Sequence, residues 1–400
     1  MRLKHLMLGA AAVLLGTSVS AAQIDELASP ASVNSALSRL TTDDDGQVHL
    51  SWVTSESAVS TLYFSTLVDE NWTAPEQIAS GSDWFVNWAD FPFHVATESS
   101  MTAHWLQKSS EGTYNYDVVA TFRDSKTGNW SDGQVVHTDG VSAEHGFVSM
   151  LPMARDRTFI TWLDGRNTAG HGGHAAEGHG AGGMTMRAAI LDSGGGNVAE
   201  WELDALTCDC CQTSSAMTSN GPVVAYRDRS EDEIRDIYIT RLVDGEWTTP
   251  MPVFSDGWQI AGCPVNGPSV VAQDEQVAVA WFSAQDNNPV VSLAFSSDHG
   301  ATFGKRVIVA KDNTNGRVST AMLESGNVAV SWMEIEGPAA ALWVALYDTT
   351  GKQLGAAKVA DTQSSRRSGF PVITARGDDV FITWTDVSSE SRVRIARVRF

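Results

Sequence analysis

Helical periodicity is almost absent from this 400-residue chain, and beyond its first residues no apolar run is long enough to cross a membrane. Positive charge is scarce. Lys and Arg number 27 against 48 Asp and Glu, a formal net charge of −21. That balance argues against nucleic acid as a partner, because such binding is driven by cationic surface. An anionic substrate would need a local arginine cluster working against the global field. Cysteine is rare as well: the chain has four, Cys208, Cys210, Cys211 and Cys263.

The N-terminus carries Arg2 and Lys4, then an apolar run from Leu6 to Leu15, then the small residues Ser20, Ala21 and Ala22. This pattern predicts a secretory signal peptide over residues 1–22. No Cys stands at the cleavage point, so no lipid anchor is expected. The mature chain is expected to be soluble, without a membrane anchor, and periplasmic or secreted.

Against these absences one feature recurs. Seven times, roughly fifty residues apart, a short apolar strand ends on an aromatic residue: Trp52, Trp105, Trp162, Tyr226, Trp281, Trp332 and Trp384. Such a period marks a repeat architecture. Around Trp281 the unit reads PSVVAQ, a turn, QVAVAWF, a polar loop, VVSLAFS, a turn and RVIVA. That is four antiparallel strands with short connections. No unit buries its own apolar face, so the units must stack. The expected fold is all-β: a seven-bladed β-propeller of four-stranded antiparallel blades, forming one domain over 23–400. The last unit has only three strands before Phe400, while QIDELASP near residue 23 resembles the fourth-strand segment PEQIASG. Residues 23–28 are therefore expected to complete the last blade and remove an open sheet edge. The aromatic endings are expected to fill the gaps between blades.

A turn between third and fourth strands also recurs, as SSDHGATF, RDSKTGNW, VDENW, VDGEW and YDTTG. Asp accepts backbone N–H bonds there and Gly takes the positive φ. The stretch Ser297 to Phe303 resembles an Asp-box, the BNR repeat of sialidases and their relatives, and at the level of repeats the resemblance covers the mature chain.

In a propeller two loop sets emerge on one face: those between blades and those between second and third strands. The chain's unusual residues concentrate in these sets. Between blades lie Trp88, Asp90, Glu144, His145, the four cysteines, Trp258, Arg317, Arg366 and Arg367. The other set holds Asp164, Arg166, a His- and Gly-rich insertion over 169–186, and the run from Tyr226 to Tyr238. A ligand mouth is expected at this face.

All four cysteines belong to consecutive between-blade loops. In an exported protein they predict disulfides, and four cysteines allow three pairings. Cys210 with Cys211 would be strained. A turn would bring Cys208 to Cys211 and leave Cys210 for Cys263, a cross-link worth roughly 4 kcal/mol in the chain-entropy model. The alternative is a copper or zinc centre. Its candidate ligands are the four thiolates together with His145, His171, His174, His179, Met184 and Met186, since His-rich tracts bind metal.

The sialidase resemblance implies three arginines on a substrate carboxylate, a Tyr nucleophile activated by a Glu, and an Asp as acid–base group. Planar guanidinium groups suit a carboxylate, and a Tyr nucleophile is a known exception among glycosidases. The candidates are Tyr226, Asp228, Glu231, Arg166, Arg227, Arg229, Arg235, Arg317, Arg366 and Arg367. The family's Arg-Ile-Pro signature is absent, and its catalytic domain has six blades rather than seven. Three functional readings follow. The first is a sialidase-like propeller that binds a small ligand, a glycan or a periplasmic protein at its mouth, with glycoside hydrolysis if it is an enzyme. The second is a periplasmic copper- or zinc-binding thiol accessory protein. The third is a non-catalytic scaffold.

Overall fold

The computed structural model describes residues 22–96, 100–124, 126–154, 156–168 and 183–400. They form seven antiparallel sheets around a central axis, each built in the order inner to outer strand. Blade 1 begins at Ser35–Thr42, blade 2 at His94–Ala96, blade 3 at His145–Met153 and blade 4 at Ser214–Thr218. Blades 5, 6 and 7 begin at Ser269–Gln273, Thr314–Met322 and Val372–Arg376. The chain is thus a seven-bladed β-propeller. Gln23–Leu27 pairs antiparallel with Arg392–Arg399 and supplies the outer strand of blade 7, so the first and last segments share one sheet.

The seven aromatic endings all lie on second strands and are all buried, from 0% exposure for Trp162, Tyr226 and Trp281 to 7% for Trp105. Their rings fill the space between blades, as the repeat requires. A buried indole still needs a partner for its N–H. Three of the tryptophans find one two residues on, on the same strand face. Trp105 donates to Gln107 (3.2 Å), Trp162 to Asp164 (2.8 Å) and Trp332 to Glu334 (3.1 Å).

The inner strands meet an electrostatic problem, because their free edge faces the channel and they diverge from their neighbours. Serines solve it. The hydroxyls of Ser149, Ser214, Ser269 and Ser319 accept the backbone N–H of Ser215, Val270, Thr320 and Ile373, each on the next blade's inner strand. These strands line a central channel of about 780 Å³.

At the outer rim the recurring turn behaves as its composition predicts. Asp298 accepts hydrogen bonds from the Ser296 hydroxyl and from the backbone N–H and hydroxyl of Thr302, while Gly300 takes φ of +79°. Asp348 repeats the arrangement with Thr350 and Lys352.

The opposite ends of the strands carry the between-blade and second-to-third loops. One sequence expectation changes here. Met184 and Met186 do not belong to an inserted loop: they open the third strand of blade 3, Met184–Leu191, and both are buried. Their alternation with Thr185 and Arg187 fits a strand entering the core. Residues 169–182, which include His171, His174 and His179, lie outside the described residues.

Candidate functional site

The cysteines converge as the loop topology predicts. Cys210 and Cys263 form a disulfide between the linker entering blade 4 and the linker leaving it, 53 residues apart. In the chain-entropy model a loop of that length contributes roughly 4 kcal/mol. The four-thiolate metal set therefore does not exist in this state, because two of its members are bonded to each other. The remaining pair, Cys208 and Cys211, is reduced and buried, with the sulfurs 3.4 Å apart. Cys208 opens the turn Cys208-Asp209-Cys210-Cys211, and the three-residue step folds the two side chains onto the same side.

This thiol pair lies beside a cationic wall. Arg235 Nη1 is 3.2 Å from the Cys208 sulfur, and its Nε and Nη2 both donate to Glu233 Oε2. Arg229 grips the other oxygen of Glu233, at 3.1 and 2.7 Å, and reaches Asp209. Burial alone would push the Cys208 thiol up. The hydrogen bond from Cys211 and the charges of Arg235 and Arg227 outweigh it and bring the thiol down to about 6. The Cys211 thiol moves the opposite way, raised by its own burial and by the anion beside it. Near neutral pH the pair is thus a thiolate with a thiol donating to it. Met184 and Met186 pack in the same apolar cluster as Cys208, Cys210 and Cys211. His145 does not join them.

The arginines are spent within the fold. Arg227 is 1% exposed and gives four hydrogen bonds to the backbone carbonyls of Asn266, Arg235 and Phe282. Arg317, at φ of +54° in a bulged inner strand, donates to Ser368 Oγ and to the carbonyls of Gly369, Ser365 and Ser364. Arg166 forks onto Asp164, with Nε to Oδ1 at 2.8 Å and Nη2 to Oδ2 at 2.6 Å. Arg366 and Arg367 are exposed, with Arg366 5.8 Å from the Trp88 ring centre. Arg227, Arg317 and Arg166 are thus committed to groups of the fold, while Arg366 and Arg367 stay exposed on the loop face.

Tyr226 is fully buried, and its hydroxyl donates to Asp204 Oδ2 at 2.5 Å. Burial and Asp204 both raise its pKa, the reverse of what a nucleophile needs. Asp228 is raised to about 7, first by burial and then by Asp204. Glu231 is exposed on the loop surface.

Two arrangements were not foreseen from the sequence. In the first, Tyr116 donates to Glu144 Oε1 at 2.7 Å, under the stacked ring of Phe85. Beside them the carboxyl of Asp90 accepts the Phe147 N–H at 2.8 Å. In the second, His145 and His137 stack 3.7 Å apart among Asp117, Asp139 and Asp164. A signal for the second existed in His137-Thr-Asp139, whose alternation puts imidazole and carboxylate on one side of an extended linker.

Asp90 supports a test of the site's electrostatics. Burial raises it, the Phe147 N–H opposes that, and Glu144 adds to it, which leaves it at about 8. A carboxyl held neutral in the folded state favours folding fully below its unfolded pKa, near 3.9. That contribution is lost as pH rises toward 8, by roughly 1 kcal/mol per pH unit. Asp90→Asn keeps the acceptor for Phe147 and cannot ionise. Relative to the native chain it should gain stability as pH rises from 5 to 8, and urea unfolding at the two pH values measures it. An equal difference at both pH values would contradict the assignment.

No family model matches the chain, and no curated protein matches it in sequence. Solved structures match over nearly its whole length. A polysaccharide lyase of family PL25, an ulvan lyase, is 9% identical with a TM-score of 0.54, covering 93% of this chain and 93% of that one. The Penicillium chrysogenum α-L-arabinanase is 10% identical with a TM-score of 0.51, covering 93% and 97%. The endosialidase of phage phi92 is 8% identical with a TM-score of 0.51, covering 95% and 69%. At these identities the likeness is one of fold alone. No helix among the described residues is long and apolar enough to cross a membrane.

Proposed function

We propose that this protein is an exported accessory propeller that binds copper(I) at the thiol pair of its loop face. The observation that carries this reading is the placement of the Cys208 sulfur, 3.4 Å from that of Cys211 and 3.2 Å from the Arg235 guanidinium. A soft monovalent ion prefers thiolate ligands and would take the place of the proton shared by the two sulfurs. Two thiolates with one copper(I) carry a net negative charge, which Arg235 and Arg227 offset. A zinc dithiolate is neutral and needs further ligands, so the guanidinium wall favours copper. The Cys210–Cys263 bond fixes the linker that presents both thiols, and it suits an oxidising compartment, in keeping with the leader pattern of residues 1–22.

The carbohydrate reading draws on the names of the solved neighbours and on the Tyr116–Glu144 pair. Against it, Arg227 and Arg317 serve backbone carbonyls, and Arg166, Arg229 and Arg235 serve internal carboxylates.

The test is a thiol titration of the purified, untagged chain, followed by copper(I) competition against a chromophoric chelator. We expect two free thiols per chain and one tightly held copper(I), lost in Cys208→Ser. Zero free thiols with no copper retention would overturn the reading. Turnover of a fluorogenic sialoside that disappears in Tyr116→Phe would replace it with glycoside hydrolysis.

A further inference from the structure

A second cluster on the loop face, between blades 2 and 3, lies apart from the thiol pair. His137 and Asp139 come from the linker after blade 2, His145 opens the inner strand of blade 3, and Asp117 lies at the start of Tyr116–Asp124. Four chain segments thus place two imidazoles and three carboxylates together, counting Asp164 at the end of Arg157–Asp164.

The charge count comes first. Asp117, Asp139 and Asp164 face the guanidinium of Arg166, which lies 3.1 Å from Asp139 and forks onto Asp164, and that of Arg187, whose Nε lies 3.8 Å from Asp164 Oδ2. Among the described residues three carboxylates thus outnumber two guanidiniums. A largely buried excess of carboxylate favours a cation.

Geometry locates it. Asp139 Oδ2 lies 3.1 Å from His145 Nε2 and 3.3 Å from His137 Nδ1, so one carboxylate oxygen faces one nitrogen of each ring. Asp139 is itself fixed by the Val141 N–H at 2.7 Å. This is the outer carboxylate of a carboxylate–histidine–metal arrangement, which orients an imidazole and sets its tautomer. The other two nitrogens, His137 Nε2 and His145 Nδ1, each lie 3.6 Å from Asp117 Oδ1. Zinc held tetrahedrally by nitrogen and oxygen at about 2.0–2.2 Å separates its ligand atoms by about 3.3–3.6 Å. Both nitrogen-to-oxygen spacings match, and the three ligand atoms all lie within 4.8 Å of one another.

A further observation points to a ligand there. The His137 side chain is 3% exposed, yet neither of its ring nitrogens makes a hydrogen bond. A buried imidazole normally has a partner. His145 Nδ1 also faces the Tyr116 carbonyl at 3.2 Å. A carbonyl only accepts, so in the ion-free state Nδ1 donates there and would give up its proton to bind a cation. A cation among His137, His145 and Asp117 would supply the partner that His137 lacks.

We propose that His137, His145 and Asp117 form a binding site for a divalent transition-metal ion of the zinc type. Imidazole and carboxylate suit such an ion, whereas the thiol pair suits a soft monovalent one. The Asp117 side chain is 20% exposed, so the fourth coordination position opens to solvent.

The test uses the full mature chain with His171, His174 and His179 replaced by Ser, which removes competing imidazoles, and with Cys208 and Cys211 replaced by Ser. Zinc alone is titrated against a chromophoric chelator. We expect one ion per chain, bound at least 100-fold more weakly in His137→Ala and 10- to 100-fold more weakly in Asp139→Asn. Cobalt(II) in the same protein should give a tetrahedral absorption spectrum without a thiolate charge-transfer band. Far-ultraviolet circular dichroism of the variants reports whether they fold. The proposal fails if the parent holds no zinc above the chelator's competition. It fails equally if folded His137→Ala binds zinc as tightly as the parent, or if the cobalt spectrum is that of a hexa-aquo ion.

Discussion

Arg227→Ala is expected to destabilise the protein by roughly 5 kcal/mol or more, although Arg227 was a candidate for holding a substrate carboxylate. Its guanidinium is buried and gives four hydrogen bonds to three backbone carbonyls. It also lies 4.9 Å from the centre of the Trp258 ring. Removing it strands three buried acceptors, each costing about 1–3 kcal/mol, and opens a cavity as well. The carbonyls belong to different parts of the ring: Asn266 precedes blade 5, Phe282 lies on its second strand, and Arg235 lies beside the thiol pair. The side chain therefore clamps blade 4 to blade 5. A propeller domain with stability of the usual order, about 5–15 kcal/mol, would lose much of it. Arg227→Lys should recover little, because an ammonium cannot reproduce the planar fork. Urea unfolding followed by tryptophan fluorescence measures the loss. A change below about 1 kcal/mol would mean that the carbonyls find other donors, and would return Arg227 to the list of ligand-binding residues.

The same residue shows where sequence reasoning stops. The strands were legible because alternation and a terminal aromatic are local signals, repeated seven times. The stacking of units followed from the small size of each unit. Cys210–Cys263 was one pairing that the sequence allowed, because neighbouring cysteines point apart and consecutive between-blade loops meet on one face; its companion pair, Cys208 and Cys211, meets without a bond. The role of Arg227 was not legible, because its acceptors are main-chain atoms in the next blade, and carbonyls leave no mark in a sequence. Arg317 was hidden for the same reason, its partners at 364–369 lying in the linker to blade 7. The composition is acidic, so arginines in loops looked available to a substrate. In the folded ring Arg227 and Arg317 satisfy backbone carbonyls, and Arg166, Arg229 and Arg235 pair with carboxylates of the same loops.

The imidazole–carboxylate cluster illustrates a different limit. His145 was singled out, but it was assigned to the cysteines. Of its actual neighbours, His137 and Asp139 form only a short alternating pair, and Asp117 stands in a strand start with no motif. Only the angular step from blade 2 to blade 3 brings them together. The copper and zinc proposals thus concern separate parts of the loop face, and their ligands differ in softness as well as position.

A chain lacking residues 23–27 is expected to lose several kcal/mol of stability and to associate through the exposed edge of blade 7. Gln23–Leu27 pairs residue for residue with Ile395–Arg399, so its removal breaks a five-residue ladder. Each net hydrogen bond contributes about 0.5–1.5 kcal/mol. Leu27 packs partly buried against the core of blade 1, and Asp25 is an ion-pair partner of both Arg397 and Arg399. Those exposed pairs add little, so the ladder and the apolar contacts dominate. The topological effect is larger than the local one. In the native ring the N-terminal strand holds the last blade from outside while the chain continues into blade 1, so opening one blade requires breaking contacts at both ends of the chain. Without that strand, Arg392–Arg399 becomes an open edge, and blade 7 is held to blade 1 by contacts such as those of Ser35 with Val393 and Ser38 with Thr383 and by the ion pairs of Glu70 with Arg376 and Arg397. An unpaired edge recruits strands from other chains. Thermal unfolding by circular dichroism and size-exclusion chromatography report the two effects. A truncated chain that melts with the native one and stays the same size would show that the ring is closed by its inner contacts alone.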